Sequence, residues 1–238
     1  MFKDYPAELF NSKAASRVLP VVLEHIQPKS VLDIGCGNGS WLYQFQKLGI
    51  ADISGVDSPY IDGIDLLVDR EKIIKKDLGK PFDLGKRFDL VISLEVAEHL
   101  PKESEDAFIE NIVRHADTVV FSAALPHQGG QDHLNEQYPS YWAEKFAKHG
   151  YHFFDCIRKD LWNDSEIFFW YRQNIFFVAN DKSTLFNSGD ISSPFDAVHP
   201  VLFEREAKLA IALREGDLGI EIAWRSLWKA LKKRFMKR

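Results

Sequence analysis

Residues 30–42 read SVLDIGCGNGSWL. Val31, Leu32 and Ile34 suit a short buried strand, and the run then breaks into a turn carrying Gly35, Gly37 and Gly39. Glycine at every second position lets the chain bend sharply and lets a ligand lie against bare backbone. WLYQFQKLG (41–49) follows as a helix, with Trp41, Phe45 and Leu48 on one face and Gly49 as its stop. The start of that helix offers unpaired N–H groups to the turn. A dinucleotide fingerprint would need glycine at position 40, where this chain has Ser40. Asp33 also precedes the first glycine, where a carboxylate would crowd a pyrophosphate. A carboxylate there suits a cationic or hydroxyl-rich ligand.

Outward from this bend, ADISGVD (51–57) reads as a second strand closed by Asp57, 24 positions after Asp33. An acid at that place can accept both hydroxyls of a ribose. Lys75, Lys76 and Asp77 lead into a loop punctuated by Gly79, Pro81 and Gly85, where Asp77 can meet an adenine amino group. FDLVISL and DTVVFSA read as further strands, and YPSYWAEKFAKHG as a helix closed by Gly150. YHFFDCIRK and NIFFVAN read as strands, and 12–27 as a helix that Pro20 kinks or divides. Strands separated by helix-length segments predict an α/β fold with a doubly wound, mostly parallel sheet. Ligands in such sheets bind beyond the carboxyl ends of the strands.

These motifs together resemble the class I S-adenosylmethionine-dependent methyltransferases over about residues 28–180. VLDIGCGNGSWL is similar to that family's first motif, GVD to its second, KKDL to its third and FDLVISLEVAEHL to its fourth. The resemblance implies a Rossmann-like, seven-stranded sheet with its last strand antiparallel, a place NIFFVAN fits. It implies S-adenosylmethionine as cofactor, with Gly35, Cys36, Gly37 and Gly39 around its methionine part and Asp33 near its amino group. It further implies Asp57 and Ser58 at the ribose, Asp77 and Leu78 at the adenine, and Ser93 at the methionine end.

LEVAEHLP carries Glu95, Glu98 and His99, which share one face if the segment is helical. Two acids packed together need a cation or protons. Oxygens plus an imidazole suit Mg²⁺ or Mn²⁺, or less specifically Zn²⁺. The E-x-x-E-H pattern is similar to that of metal-dependent small-RNA 3′-end 2′-O-methyltransferases and of quinone-biosynthesis O-methyltransferases. In the former a later histidine completes the site. Here His133 is the candidate and His127 the second. Two readings stay open: a divalent metal on Glu95, Glu98, His99 and His133, or His133 as a general base. In either, Glu98, His99 and His133 are the catalytic candidates. Asn135 and Glu136 would orient His133 or the substrate. Two stretches rich in aromatic and amide side chains add His127, Tyr138, Trp170 and Arg172 as substrate contacts, with Tyr141, Trp142, Trp162 and Tyr171 beside them.

Composition bounds the rest. The 238 residues are 45% hydrophobic, too many for a disordered chain, and hold 30 basic against 35 acidic residues, a net charge of −5. That excludes a strongly basic nucleic-acid coat and favours a small-molecule substrate over nucleic acid. No apolar run reaches transmembrane length, MFKDYPAELF does not read as a signal peptide, and two cysteines make no disulfide framework. A cytoplasmic protein is expected. Residues 181–202, rich in Ser, Asp, Asn, Gly and Pro, read as a linker between a methyltransferase domain (1–180) and an α-helical C-terminal extension (181–238). In that extension Trp224, Leu227, Trp228, Leu231 and Phe235 form one helical stripe beside many Lys and Arg. Such a helix can meet a membrane or a protein partner, or pack on the domain or across a dimer. The expected reaction is in-line transfer of methyl to a hydroxyl of a small polar acceptor, such as a sugar or phosphorylated sugar of surface-glycan synthesis. An RNA 3′-end methyltransferase and a non-catalytic cofactor-binding module are the alternatives.

Overall fold

The computed structural model describes residues 12–185, 196–215 and 219–235. The readings of MFKDYPAELF, of residues 186–195 of the linker and of the last three residues lie outside them. Seven strands form one sheet in the order β3-β2-β1-β4-β5-β7-β6. They are β1 (Ser30–Ile34), β2 (Asp52–Asp57), β3 (Ile73–Lys75), β4 (Leu90–Leu94), β5 (Thr118–Ser122), β6 (His152–Phe154) and β7 (Phe176–Ala179). The first five run parallel, and β7 is antiparallel to both β5 and β6. The expected doubly wound α/β sheet with an antiparallel final strand is therefore present. Strand order reverses between β1 and β4, so a crevice opens beyond Ile34 and Leu94.

Successive strand residues face opposite sides of the sheet, and each side has its own core. Val31, Leu90, Ile92 and Phe177 pack with α1 (Lys13–His25) and α2 (Ser40–Lys47). Leu32, Ile34, Val91, Phe176 and Val178 pack with α3 (Glu105–His115) and α4 (Pro139–Ala147). Burial on both faces explains why the strands read as continuous apolar runs rather than alternating ones.

Two local expectations are corrected. Helix α1 is not divided at Pro20, which lies on its exposed face. YHFFDCIRK is strand only over β6; Arg158 pairs with Asp155 in a buried ion pair and opens the short helix α5 (Arg158–Leu161). The edge strand β3 was not visible in EKIIKKDL, since three residues among charges show no period. Helix α6 (Phe169–Asn174) lies between β6 and β7.

The chain divides into two compact units, Met1–Ala197 and Val198–Arg238. The sequence boundary at 180 falls short of this division. Ser183 hydrogen-bonds Thr118 at 2.7 Å, and Asp196 accepts bonds from the Ser140 amide and hydroxyl at the start of α4, so both belong with the sheet. The second unit contains α7 (Pro200–Glu215) and α8 (Ile220–Phe235). Among the described residues no helix is long and apolar enough to cross a membrane.

Candidate active site

The bend after β1 is built from positive-φ glycines: φ is 89° at Gly35, 51° at Gly37 and 79° at Gly39. A Cβ on Gly35 would lie 2.4 Å from a Val96 methyl, and one on Gly39 would lie 2.7 Å from a Val68 methyl. The bend is thus closed in by side chains that only glycine admits. Asp57 fastens it to β2: its carboxylate accepts the Gly37 amide at 2.7 Å and the Ser58 amide at 2.6 Å. The Ser93 hydroxyl donates to the Ile34 carbonyl at 2.7 Å and ties β4 to the same place.

Asp33 stands under this bend and is 2% exposed, and its Oδ2 atom has no hydrogen-bond partner. Burial, reinforced by the neighbouring Asp57, pushes its carboxyl well above the usual carboxylate range. A buried acid without a partner destabilises a fold, so the site suits a ligand with an ammonium or other donor group. Asp33→Asn is expected to raise the melting temperature of the ligand-free protein at neutral pH. It is also expected to weaken S-adenosylmethionine binding about 10- to 100-fold, the worth of a charge-assisted hydrogen bond. The carboxyl's folded pKa is raised, so its stabilisation is present below the unfolded value and fades as pH rises through the folded one. The melting-temperature gain of Asp33→Asn over wild type should therefore grow with pH; a constant gain would contradict it.

Two members of the implied cofactor set have core side chains. The Cys36 thiol is buried in the core, where a Cβ on Gly55 would touch its sulfur at 2.7 Å, and it reaches the Gly37 carbonyl at 3.9 Å. The Leu78 side chain packs beside Phe82 and Phe108. Asp77 forms a turn, accepting the Gly79 amide at 3.1 Å, and meets Lys80 at 3.1 Å.

Beyond β4 the expected helical face is absent. Glu95 has φ 57°, and only Ala97–His99 form a single 3₁₀ turn. The structure gathers one ligand atom each from Glu98, His99 and His133 within 4.8 Å of one another. Glu95 is not in this group. Its carboxylate is held by Gln128 at 3.1 Å and Asn174 at 3.1 Å, which corrects its reading as a fourth ligand. The Glu98 carboxyl is fully buried and neither oxygen has a hydrogen-bond partner. Burial and then Glu95 push it well above its usual range. His99 sits edge-to-face with His133 at 4.9 Å, and burial followed by His133 lowers its pKa to about 4. Its imidazole is neutral at pH 7, the form that ligates metals.

The loop after β5 closes over this cluster. The Glu98 carbonyl accepts the amides of Leu134 at 2.7 Å and Asn135 at 3.0 Å. Glu136 organises the loop, accepting the amides of His127 at 2.8 Å and Gly129 at 3.0 Å and meeting His133 Nδ1 at 2.8 Å. His99 Nδ1 faces the Asp132 carbonyl at 3.4 Å. Acceptors near both Nδ1 atoms are the kind of partners that fix the ring orientation of metal-bound histidines.

Among the expected substrate contacts, His127 and Tyr138 are exposed. Trp170 stacks on Phe168 at 4.3 Å. Asn135 is buried, donating to Glu105 at 3.2 Å and accepting from Gln137 at 2.9 Å, which ties the loop to α3. Arg172 is buried and donates to the Trp162 carbonyl at 3.2 Å, while its Nε has no hydrogen-bond partner. The cage of Gln128 and Asn174 around Glu95 was missed, because amides 33 and 79 positions from it give no local signal.

Residues 7–158 match a family model described as a methyltransferase domain. A curated ubiquinone biosynthesis O-methyltransferase of Bartonella quintana (strain Toulouse) is 32% identical over 90 residues, covering 34% of this chain. The match spans only 35% of that relative's length. The solved magnesium protoporphyrin IX methyltransferase of Synechocystis PCC 6803, with bound S-adenosylhomocysteine, superposes with a TM-score of 0.51 at 19% identity. That likeness covers 71% of this chain and 82% of that one. The methyltransferase domain of bacterial-CtHen1-C gives a TM-score of 0.52 at 18% identity, covering 71% of this chain and 97% of that one. At these identities the two likenesses speak for the fold.

Proposed function

Since the chain belongs to the methyltransferase-domain family and is a class I S-adenosylmethionine-dependent methyltransferase, we propose that its acceptor is a hydroxyl of a small polar molecule, a sugar or phosphorylated sugar of surface-glycan synthesis. The observation that carries the hydroxyl assignment is the Glu98 carboxyl, buried without a partner beside the inward rings of His99 and His133. An alcohol is a poor nucleophile until its proton is removed, whereas an amine attacks with its own lone pair. A cluster of one carboxyl and two imidazoles is the equipment that the harder task needs. The curated relative is itself an O-methyltransferase.

S-adenosylmethionine supplies a methyl group on a positively charged sulfur. The chain's residues do the rest. The glycine bend and the unpartnered Asp33 oxygen suit the donor's amino-acid end, and Asp57 still has lone pairs for ribose hydroxyls. Glu98, His99 and His133 would hold Mg²⁺ or Mn²⁺, which lowers the pKa of a bound hydroxyl and fixes its oxygen. The His133–Glu136 contact supports a second reading, in which His133 Nε2 takes the hydroxyl proton with no metal. An RNA 3′ end offers similar hydroxyls, but the first 197 residues hold 20 basic and 30 acidic residues, a net of −10, which repels a polyanion.

The test is radiolabelled methyl transfer from S-adenosylmethionine to panels of nucleotide sugars, free sugars, amines and a short RNA, with and without chelator. Transfer to a sugar hydroxyl that chelator stops and Mn²⁺ restores is the expected result. Transfer unaffected by chelator would favour His133 as base. Transfer to amines alone, or to RNA alone, would overturn the acceptor. Donor binding without transfer to any panel member would leave a non-catalytic module.

A further inference from the structure

We propose that α8 docks the protein on an anionic lipid bilayer surface. Over residues 224–232 the helix carries its exposed apolar and basic residues on different sides, and the exposed Arg234 falls back on the apolar side. Ile220, Trp224, Leu227 and Trp228 follow the spacing i, i+4, i+7, i+8, which keeps them on one stripe. All four are exposed, Trp224 at 65% and Trp228 at 70%. The exposed Arg225, Lys229 and Lys232 lie to the other side of the wheel.

Charge decides the occupant. Residues 219–238 hold seven basic residues and one acidic residue, a net of +6. The rest of the chain carries −11. Helix α7 also exposes apolar residues, Phe203 among them, but has three acidic and three basic side chains and no such bias. A second copy of the chain would bring +6 against +6 if two α8 helices met. A bilayer of anionic headgroups instead neutralises the basic flank, while two tryptophans suit the boundary between headgroup and acyl chain.

The experiment is co-sedimentation of the full chain with vesicles of phosphatidylcholine alone and of phosphatidylcholine mixed with phosphatidylglycerol. Binding about tenfold stronger to the anionic vesicles, and weakened by salt, is expected. Two variants, Trp224→Ser/Trp228→Ser and Arg225→Glu/Lys229→Glu, should each lose about tenfold while keeping wild-type S-adenosylmethionine affinity, which shows that the first unit is intact. Equal binding to both vesicles, or none, would overturn the proposal. So would self-association that Trp224→Ser/Trp228→Ser abolishes while vesicle binding persists, since the stripe would then belong to a second copy.

Discussion

Glu98→Gln is expected to abolish Mn²⁺ binding and to slow methyl transfer about 10²- to 10⁴-fold, the usual contribution of assisted proton removal. The amide keeps the shape of the acid but loses the charge that a divalent cation needs. Because the carboxyl is fully buried with neither oxygen partnered, the substitution removes a destabilising group. In chelator the variant should melt at or above the wild-type temperature. A functional residue is expected to show this opposition between stability and activity. A variant that melts several degrees lower and still transfers methyl at the wild-type rate would make Glu98 a packing residue. Mn²⁺ binding, read by electron paramagnetic resonance without donor or acceptor, separates the metal's loss from any loss of turnover.

Gly35→Ala is expected to be the most damaging single change to stability. Its backbone sits at φ 89°, and the new Cβ would lie 2.4 Å and 2.7 Å from the two Val96 methyls. The backbone conformation costs a non-glycine residue about 1–3 kcal/mol, and overpacking adds about 1–3 kcal/mol more. That is a large fraction of a stability of about 5–15 kcal/mol, and a fall in melting temperature on the order of 10 °C follows. Gly49→Ala is the control: φ is 91° there, but nothing lies within 4 Å of the added carbon. It should lose only the backbone part. Adding Val96→Ala to Gly35→Ala should recover part of the packing loss and none of the backbone loss. Equal melting temperatures for Gly35→Ala and Gly49→Ala would contradict a bend closed in by Val96.

These two positions also mark what could be read from the residues alone. The Gly35–Gly37–Gly39 bend, its strand and the acid closing β2 are local patterns, so glycine spacing and apolar runs expose them. The family resemblance supplied the count of seven strands and the antiparallel last one, because strand pairing is non-local and no period in the chain encodes it. The cluster at 98–99 was visible as an acid beside a histidine. Its geometry was not, since a helix was expected where the chain makes one 3₁₀ turn and Glu95 takes a positive φ. That difference turns Glu95 toward Gln128 and Asn174 instead of toward His99. Asn135 shows the same lesson: a polar residue in a promising loop can be engaged by a neighbour that sequence distance hides, here Glu105.

The most direct measurement is anomalous X-ray diffraction from crystals grown with Mn²⁺ and S-adenosylhomocysteine. One manganese peak is expected at about 2.0–2.2 Å from Glu98, His99 and His133, with the ligand's amino-acid end at Gly35–Gly39 and Asp33. The nucleoside bound there with no metal at the cluster, or a metal bound only elsewhere, would contradict it.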